Sequence, residues 1–428
     1  MLENKVIKNA SWIIGCKIIQ AVIGLIVTML TARYLGPSNY GVINYAASVI
    51  AFFTPIAQLG LTNVMVKEIV AHPEKEGDIL GTSIVMALAS ATACVVGVCV
   101  FALTFNHNEP ITILVCVLYS TSMVTQVLEL TQYWFQAKLK SKFQSISSLA
   151  AYILVSAYQL YLLATGKSII WFALTYTLQY LLIAVFMFVL YRRNGGPRFR
   201  FDKALGKTLF DSSKYYIVSS LMVTIFAQTD KIMLKMMIGD TANGYYSAAV
   251  NCAGLTSFVF FAICDSARPA IYEAQLNSRE RFEKNMSRLY GVIIYLSLVQ
   301  SLVMTIFAPI IIRLLYGSDY APAVSALQII VWYTTFSYLG MVRNIWILAE
   351  KKQKYLGWIN FIGATTNVLL NFVLIPPMGI HGAAIASLFT QFFTNVIIGY
   401  ILKPIRYNNT LMVRGLDVRL LLEVVRGK

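Results

Sequence analysis

Leu80–Leu103 reads LGTSIVMALASATACVVGVCVFAL, 24 residues without a charged side chain. At about 1.5 Å per residue, a helix of that length covers a hydrocarbon core about 30 Å thick. Two more stretches, 168–191 and 380–402, have the same character. The whole chain is 58% hydrophobic and only 13% charged, where a soluble domain carries about 25% charged residues. The expected fold class is therefore all-α, a polytopic membrane protein.

Working outward from that segment, apolar blocks separated by short polar or Gly/Pro-bearing connections predict about twelve transmembrane helices. They fall near 10–32, 41–66, 80–103, 110–131, 144–164, 168–191, 212–236, 244–268, 286–309, 321–345, 357–375 and 380–402. Met1–Ala10 is polar and basic and the apolar stretch behind it is too long for a signal core, so the first helix is expected to serve as its own anchor.

The net charge of +16 does not point to nucleic acid, whose ligands gather Lys and Arg on one soluble face. Here the bases sit in alternate connections: 67–79, 132–143, 192–214, 268–288, 343–356 and 403–428. The intervening set carries only Arg33, Lys167, Lys231, Lys235 and Arg313. The positive-inside rule then puts both termini in the cytoplasm of a multi-pass plasma-membrane protein. All six cysteines fall in apolar segments with no CxxC spacing, which argues against a metal site or a disulfide framework.

Residues 192–211 form the longest basic connection and divide the chain into an N-terminal lobe, 1–191, and a C-terminal lobe, 212–402. Residues 403–428 follow as a basic amphipathic cytoplasmic tail with Val413, Leu416, Leu420 and Val424 on one side. An internal repeat supports the division. A shift of 203 residues superposes Leu35-Gly36 on Ile238-Gly239 and Gly41 on Gly244. A shift of 212 puts Trp134 on Trp346, Ala137 on Ala349 and Lys140 on Lys352. Six helices per half make the repeats parallel.

Polar residues inside a bilayer turn away from lipid. The first helix carries Lys17, Gln20, Gly24, Thr28 and Thr31 on one face, at helical spacing. Its repeat mate carries Tyr216, Ser220, Thr224, Gln228, Lys231 and Lys235. The eighth has Ser247, Asn251, Gly254, Asp265 and Arg268, and the second Asn44, Ser48, Pro55 and Gln58. Together these stripes predict a hydrated, cationic lumen that suits an anion such as a pyrophosphate, with Lys17, Gln20, Arg33, Asn44, Lys231, Lys235, Asn251 and Arg268 as substrate-binding candidates. Local readings stand beside this one. Lys17, Arg33, Lys231 and Lys235 are within snorkelling reach of headgroups, and Asp265–Arg268 has the spacing of a helix ion pair. Glu129, Asp230 and Asp265 are the candidates for ion coupling; beyond H+, Na+ or the membrane potential, no cofactor or metal is expected.

The stretch Arg33-Tyr34-Leu35-Gly36-Pro37-Ser38-Asn39-Tyr40-Gly41, with Leu59-Gly60-Leu61 after it, resembles the first hairpin of Wzx-type polysaccharide flippases. These belong to the MOP superfamily, which also holds the MATE exporters and the lipid II flippases. Leu315–Ala321 (LYGSDYA) and Ile375–Ile385 (IPPMGIHGAAI) are similar to two further family signatures, and the likeness runs over about 10–402. It implies two six-helix lobes around a central cavity, lined by helices 1, 2, 7 and 8, with alternating access. It also implies a non-enzymatic function: an undecaprenyl-pyrophosphate-linked oligosaccharide is carried from the inner to the outer leaflet of a bacterial inner membrane, for O-antigen, capsule or a related polymer. Partners would be the lipid-linked oligosaccharide, membrane lipids and the polymerase and glycosyltransferases of the same pathway, with no nucleic acid. Lipid II flippases have two further helices, for which no hydrophobic stretch exists after Lys403. The competing expectation, a MATE-like drug or metabolite antiporter, calls for acids rather than bases along the cavity. A glycan polymerase would need a long outer loop bearing Arg or His, and the outer connections here are short.

Overall fold

The computed structural model describes residues 2–420; Val424 of the expected tail lies outside the described residues. Sixteen α-helices account for most of the chain: α1 (Leu2–Ala57), α2 (Met65–Ala71), α3 (Glu76–Phe105), α4 (Pro110–Gln126), α5 (Gln132–Ala137), α6 (Lys142–Ala164), α7 (Ile169–Arg193), α8 (Lys203–Met237), α9 (Asp240–Ala253), α10 (Ser257–Asn277), α11 (Arg279–Leu315), α12 (Ala323–Ala349), α13 (Lys354–Met378), α14 (Ile380–Phe392), α15 (Ile398–Ile401) and α16 (Arg406–Arg414). No strand occurs among the described residues. The fold is all-α, as composition predicts.

Among the described residues, ten helical stretches are long and apolar enough to cross a membrane. The first, Gly15–Ala57, is 43 residues long and covers two of the expected spans, because α1 breaks at Gly36 (φ 70°, ψ 171°). A backbone at positive φ costs glycine nothing sterically, and Pro37 then restarts the helix with φ already suitable. Helix α12 coincides with the expected span 321–345 but is not among the ten. The ten stretches, with the broken α1 counted twice and α12 added, are consistent with the twelve expected spans.

Contacts divide the chain into two compact units, 1–224 and 225–428. The boundary falls inside α8. Within the first unit, the connection after α7 adheres to α3. Arg200 N donates to Gly77 O at 3.2 Å, Asp202 N to Thr82 Oγ1 at 3.0 Å, and the Tyr191 hydroxyl to Pro197 O at 2.6 Å. Its aromatic core sets Trp134 edge-on to Phe135 and Tyr191, with centroids 5.0 Å apart in both pairs. In the second unit Phe260 stacks on Tyr338 at 3.9 Å. There α16 buries Asn408, Asn409, Leu411 and Met412, and Tyr290 OH donates to Asn408 Oδ1 at 2.8 Å. Val413 and Leu416 stay exposed.

Three backbone landmarks recur in both units. Positive φ recurs at Gly36 and Gly239 (offset 203), at Leu139 and Lys351 (offset 212) and at Gly166 and Gly379 (offset 213). The ends of α5 and α12 are closed by matching hydrogen bonds. Lys138 N, Leu139 N and Lys140 N donate to the carbonyls of Trp134, Gln136 and Phe135; Glu350 N, Lys351 N and Lys352 N donate to those of Trp346, Leu348 and Ile347. Left-handed backbone is disfavoured for leucine and lysine, so its coincidence at Leu139 and Lys351 supports the repeat more strongly than the side-chain matches do.

Candidate functional site

The polar centre of the second unit is Asp230. It lies on α8 amid an apolar helix pack and is 7% exposed. Three donors converge on its carboxylate: Tyr246 OH from α9 at 2.5 Å, Asn371 Nδ2 from α13 at 2.5 Å, and Ser387 Oγ from α14. Asn371 and Asn367 are one turn apart on α13, so their side chains meet (3.1 Å), and Asn367 Nδ2 continues to Ser387 Oγ at 3.3 Å. Tyr333 and Lys231 are within electrostatic range of the carboxylate.

Taking a carboxylate out of water costs several kcal/mol; each hydrogen bond to a charged acceptor returns about 1.5–3 kcal/mol. The donors therefore make the charge tolerable. Oxygen is nonetheless in surplus: Asn371 Oδ1 is buried without a hydrogen-bond partner, and Asn367, Tyr246 and Ser387 add lone pairs. An oxygen set of this kind suits a hard cation or a proton. The set holds a single formal negative charge, that of Asp230.

The other sequence candidates are distributed as follows. In the first unit Lys17 and Arg33 are exposed. Gln20 Nε2 donates to Ser148 Oγ on α6 at 3.2 Å, and Asn44 Nδ2 to the Tyr40 carbonyl one turn back at 2.8 Å. Glu129 lies in a 3-10 segment, Val127–Thr131, that joins α4 to α5. It is half-buried, with Tyr133, Tyr176 and Tyr180 in electrostatic range. In the second unit Lys231 and Asn251 are half-buried. Lys235 is 5% exposed, with Nζ 2.8 Å from Asp240 Oδ1, and so staples α8 to α9 across the Gly239 corner. Asp265 and Arg268 form an exposed ion pair on α10 at 2.8 Å.

Asp230, Lys231 and their neighbours are thus brought together. Tyr246, Asn367, Asn371 and Ser387 are absent from the sequence-based candidates. A signal was available for two of them, since Asn367 and Asn371 are four apart, on one face of a helix long enough to span a membrane.

The family model for "Polysaccharide biosynthesis protein" matches residues 6–275. The chain belongs to that family. Among its relatives is an "Uncharacterized membrane protein" of Methanocaldococcus jannaschii, 27% identical over 239 residues, which are 50% of this chain and 45% of that one. A "Probable low-salt glycan biosynthesis flippase" of Haloferax volcanii is 21% identical over 182 residues, 42% of this chain and 39% of that one. The chain thus aligns with less than half the length of either relative. Among solved structures, the lipid II flippase MurJ in an inward closed conformation superposes with a TM-score of 0.71 at 12% identity, covering 97% of this chain and 92% of that one. An inward-facing MATE multidrug transporter of the MOP superfamily gives 0.68 at 12% identity, covering 92% and 95%. At such identities the likeness is one of fold: the chain has the fold of these two structures.

Proposed function

We propose that this family member is a flippase that carries a lipid-linked oligosaccharide, of the undecaprenyl-pyrophosphate class, from the inner to the outer leaflet. It works by alternating access in a bacterial plasma membrane, with both termini cytoplasmic, and serves a polymer such as O-antigen or capsule. The family match over 6–275, joined to a MOP-type fold, carries this reading. No chemical step is needed. By residue type, Lys17 in the first unit and Lys231 and Arg268 in the second are the candidates to offset phosphate charge, and Gln20, Asn44 and Asn251 those to meet sugar hydroxyls. The inside-negative potential helps an anionic head outward by about 2.3 kcal/mol per charge per 100 mV. A monovalent cation or proton taken up at Asp230 resets the carrier, with the buried acceptor Asn371 Oδ1 available to complete its shell. Polymerase and glycosyltransferases of the same pathway are the expected partners.

The test is a reconstituted assay with a fluorescent polyprenyl-pyrophosphate oligosaccharide, in which outer-leaflet exposure is read by lectin quenching. Wild-type protein should flip the substrate, and Lys17→Gln with Lys231→Gln should abolish flipping while the variant elutes and melts like wild type. Normal flipping by that double variant would refute the role of the cations. Export of a cationic dye in place of the glycolipid would instead favour the MATE-like antiporter, whose fold this chain shares.

A further inference from the structure

Residues 196–202, between α7 and α8, are not helical and run against α3. Gly77 and Gly81 are one turn apart on α3, and a Cβ on either would collide with the backbone of Arg198 or Arg200. Two bare glycines let the segment lie this close. Arg200 N donates to Gly77 O and Asp202 N to Thr82 Oγ1, so the segment is a strap pinned to the helix. Its burial alternates as on an extended chain. Phe199 is half-buried and stacks on Tyr191 with centroids 5.1 Å apart, while Arg198 and Arg200 on either side of it are exposed. Gly77 and Gly81 also bracket Leu80, where the uncharged run of α3 begins. The strap therefore lies where the polar end of a span meets the hydrocarbon core, at the depth of lipid headgroups.

The cations here lack carboxylate partners. Arg193, Arg198, Arg200 and Lys203 form no ion pair among the described residues. Nearby acids are engaged with other groups. Asp202 Oδ1 accepts from Ala204 N at 2.8 Å and Leu205 N at 3.2 Å at the start of α8. Asp211 pairs with Lys214 at 2.8 Å, and Glu76 is held by Trp134 Nε1 at 2.7 Å and Lys138 Nζ at 3.1 Å. Asp78, beside Gly77, pairs with none of the four. Phe201, between Arg200 and Lys203, is 56% exposed. A phenyl ring set among cations is costly in water and favourable at the boundary of headgroups and acyl chains. Control of topology requires only an excess of bases on one side; it requires neither a pinned backbone nor arginines held outward.

We propose that this strap is a binding surface for acidic phospholipid headgroups. The guanidinium groups of Arg198 and Arg200 take phosphate oxygens, for which their fork of donors is suited. Lys203 adds charge, and Phe201 enters the acyl boundary beside them. The surface belongs to the first unit alone and is independent of what the chain transports.

The experiment uses the full chain in a neutral detergent, titrated with phosphatidylglycerol, phosphatidylcholine or inorganic phosphate. Phosphatidylglycerol should raise the unfolding midpoint saturably, beyond any rise with the other two, as ligand linkage requires. Arg198→Gln with Arg200→Gln and Lys203→Gln should weaken that binding about 100-fold, the product of about 5-fold for each cation at an anionic surface. Lys140→Gln with Lys351→Gln and Lys403→Gln, which neutralises three exposed cations elsewhere, should leave it unchanged. Hydrogen exchange of the wild-type chain, a readout that does not depend on a variant folding, should slow over 196–203 when phosphatidylglycerol is added to phosphatidylcholine nanodiscs. The connections at 138–141 and 350–353 should exchange as before. Equal midpoints with the two lipids, an equal rise with inorganic phosphate, equal losses in the two triple variants, or exchange at the strap indifferent to the acidic lipid would each overturn the proposal.

Discussion

Replacing Asp230 by Asn separates a coupling site from a merely structural carboxylate. The substitution keeps the shape and one acceptor oxygen but removes the charge. Three donors, Tyr246, Asn371 and Ser387, then meet a neutral amide. Asn371 uses Oδ1 while Tyr246 and Ser387 use Oδ2, so the amide oxygen must face Asn371 and the two hydroxyls must turn to accept from the new NH2. A hydrogen bond to a charged group is worth about 1.5–3 kcal/mol and a neutral one about 0.5–1.5, and the three exchanges together lose roughly 3–4 kcal/mol. Against that, the several kcal/mol spent on burying the charge no longer apply. The two terms nearly cancel, and the variant should fold and melt close to wild type in cation-free buffer. Ion binding has no such compensation, because the one formal negative charge of the oxygen set is gone. Affinity for a monovalent cation should fall at least about 100-fold, equivalent to about 2.7 kcal/mol. The assay is the unfolding midpoint titrated with sodium chloride against choline chloride, with chloride held constant. Wild type should show a saturable rise with sodium, and Asp230→Asn none. Retention of the full shift in the variant would refute the assignment, as would a wild-type protein indifferent to sodium. Glu129→Gln and Asp265→Asn, run alongside, should keep the shift.

Other expectations follow from the same geometry. Trp134→Phe leaves the half-buried Glu76 with one donor fewer and should lower stability by about 1–3 kcal/mol, seen as a lower melting midpoint. Gly36→Ala and Gly239→Ala force side chains into positive φ (70° and 125°) and should each cost about 1–3 kcal/mol. Gly357→Ala, on α13 with open space around the added carbon, should be neutral or stabilising by up to about 1 kcal/mol. If Gly239→Ala melts no lower than Gly357→Ala, the strained corner is not what joins α8 to α9.

The apolar blocks, the turn at Gly36-Pro37 and the tandem repeat were legible from the chain alone, because each rests on neighbouring residues. A run such as Leu80–Leu103 can satisfy its backbone in lipid only as a helix, whatever surrounds it. Positive φ at Gly36 and Gly239 is likewise a local demand, visible wherever glycine stands between two apolar blocks. The site itself was only half legible. Asp230 is conspicuous as an acid near membrane depth, but its ligands come from α9, α13 and α14, as much as 157 residues away, and no periodicity within one helix reports on them. Lys235 looks in sequence like Lys231, four residues earlier on the same stripe, yet the corner at Gly239 brings Asp240 to it and makes it half of a buried ion pair. Trp134 and Trp346 are equivalent by spacing, and only packing shows that one has its acid and the other does not. Local chemistry determined which segments are helices and where they turn. Which polar groups meet was decided by helices far apart in the chain, since the free energy of burying a charge depends on what is packed against it.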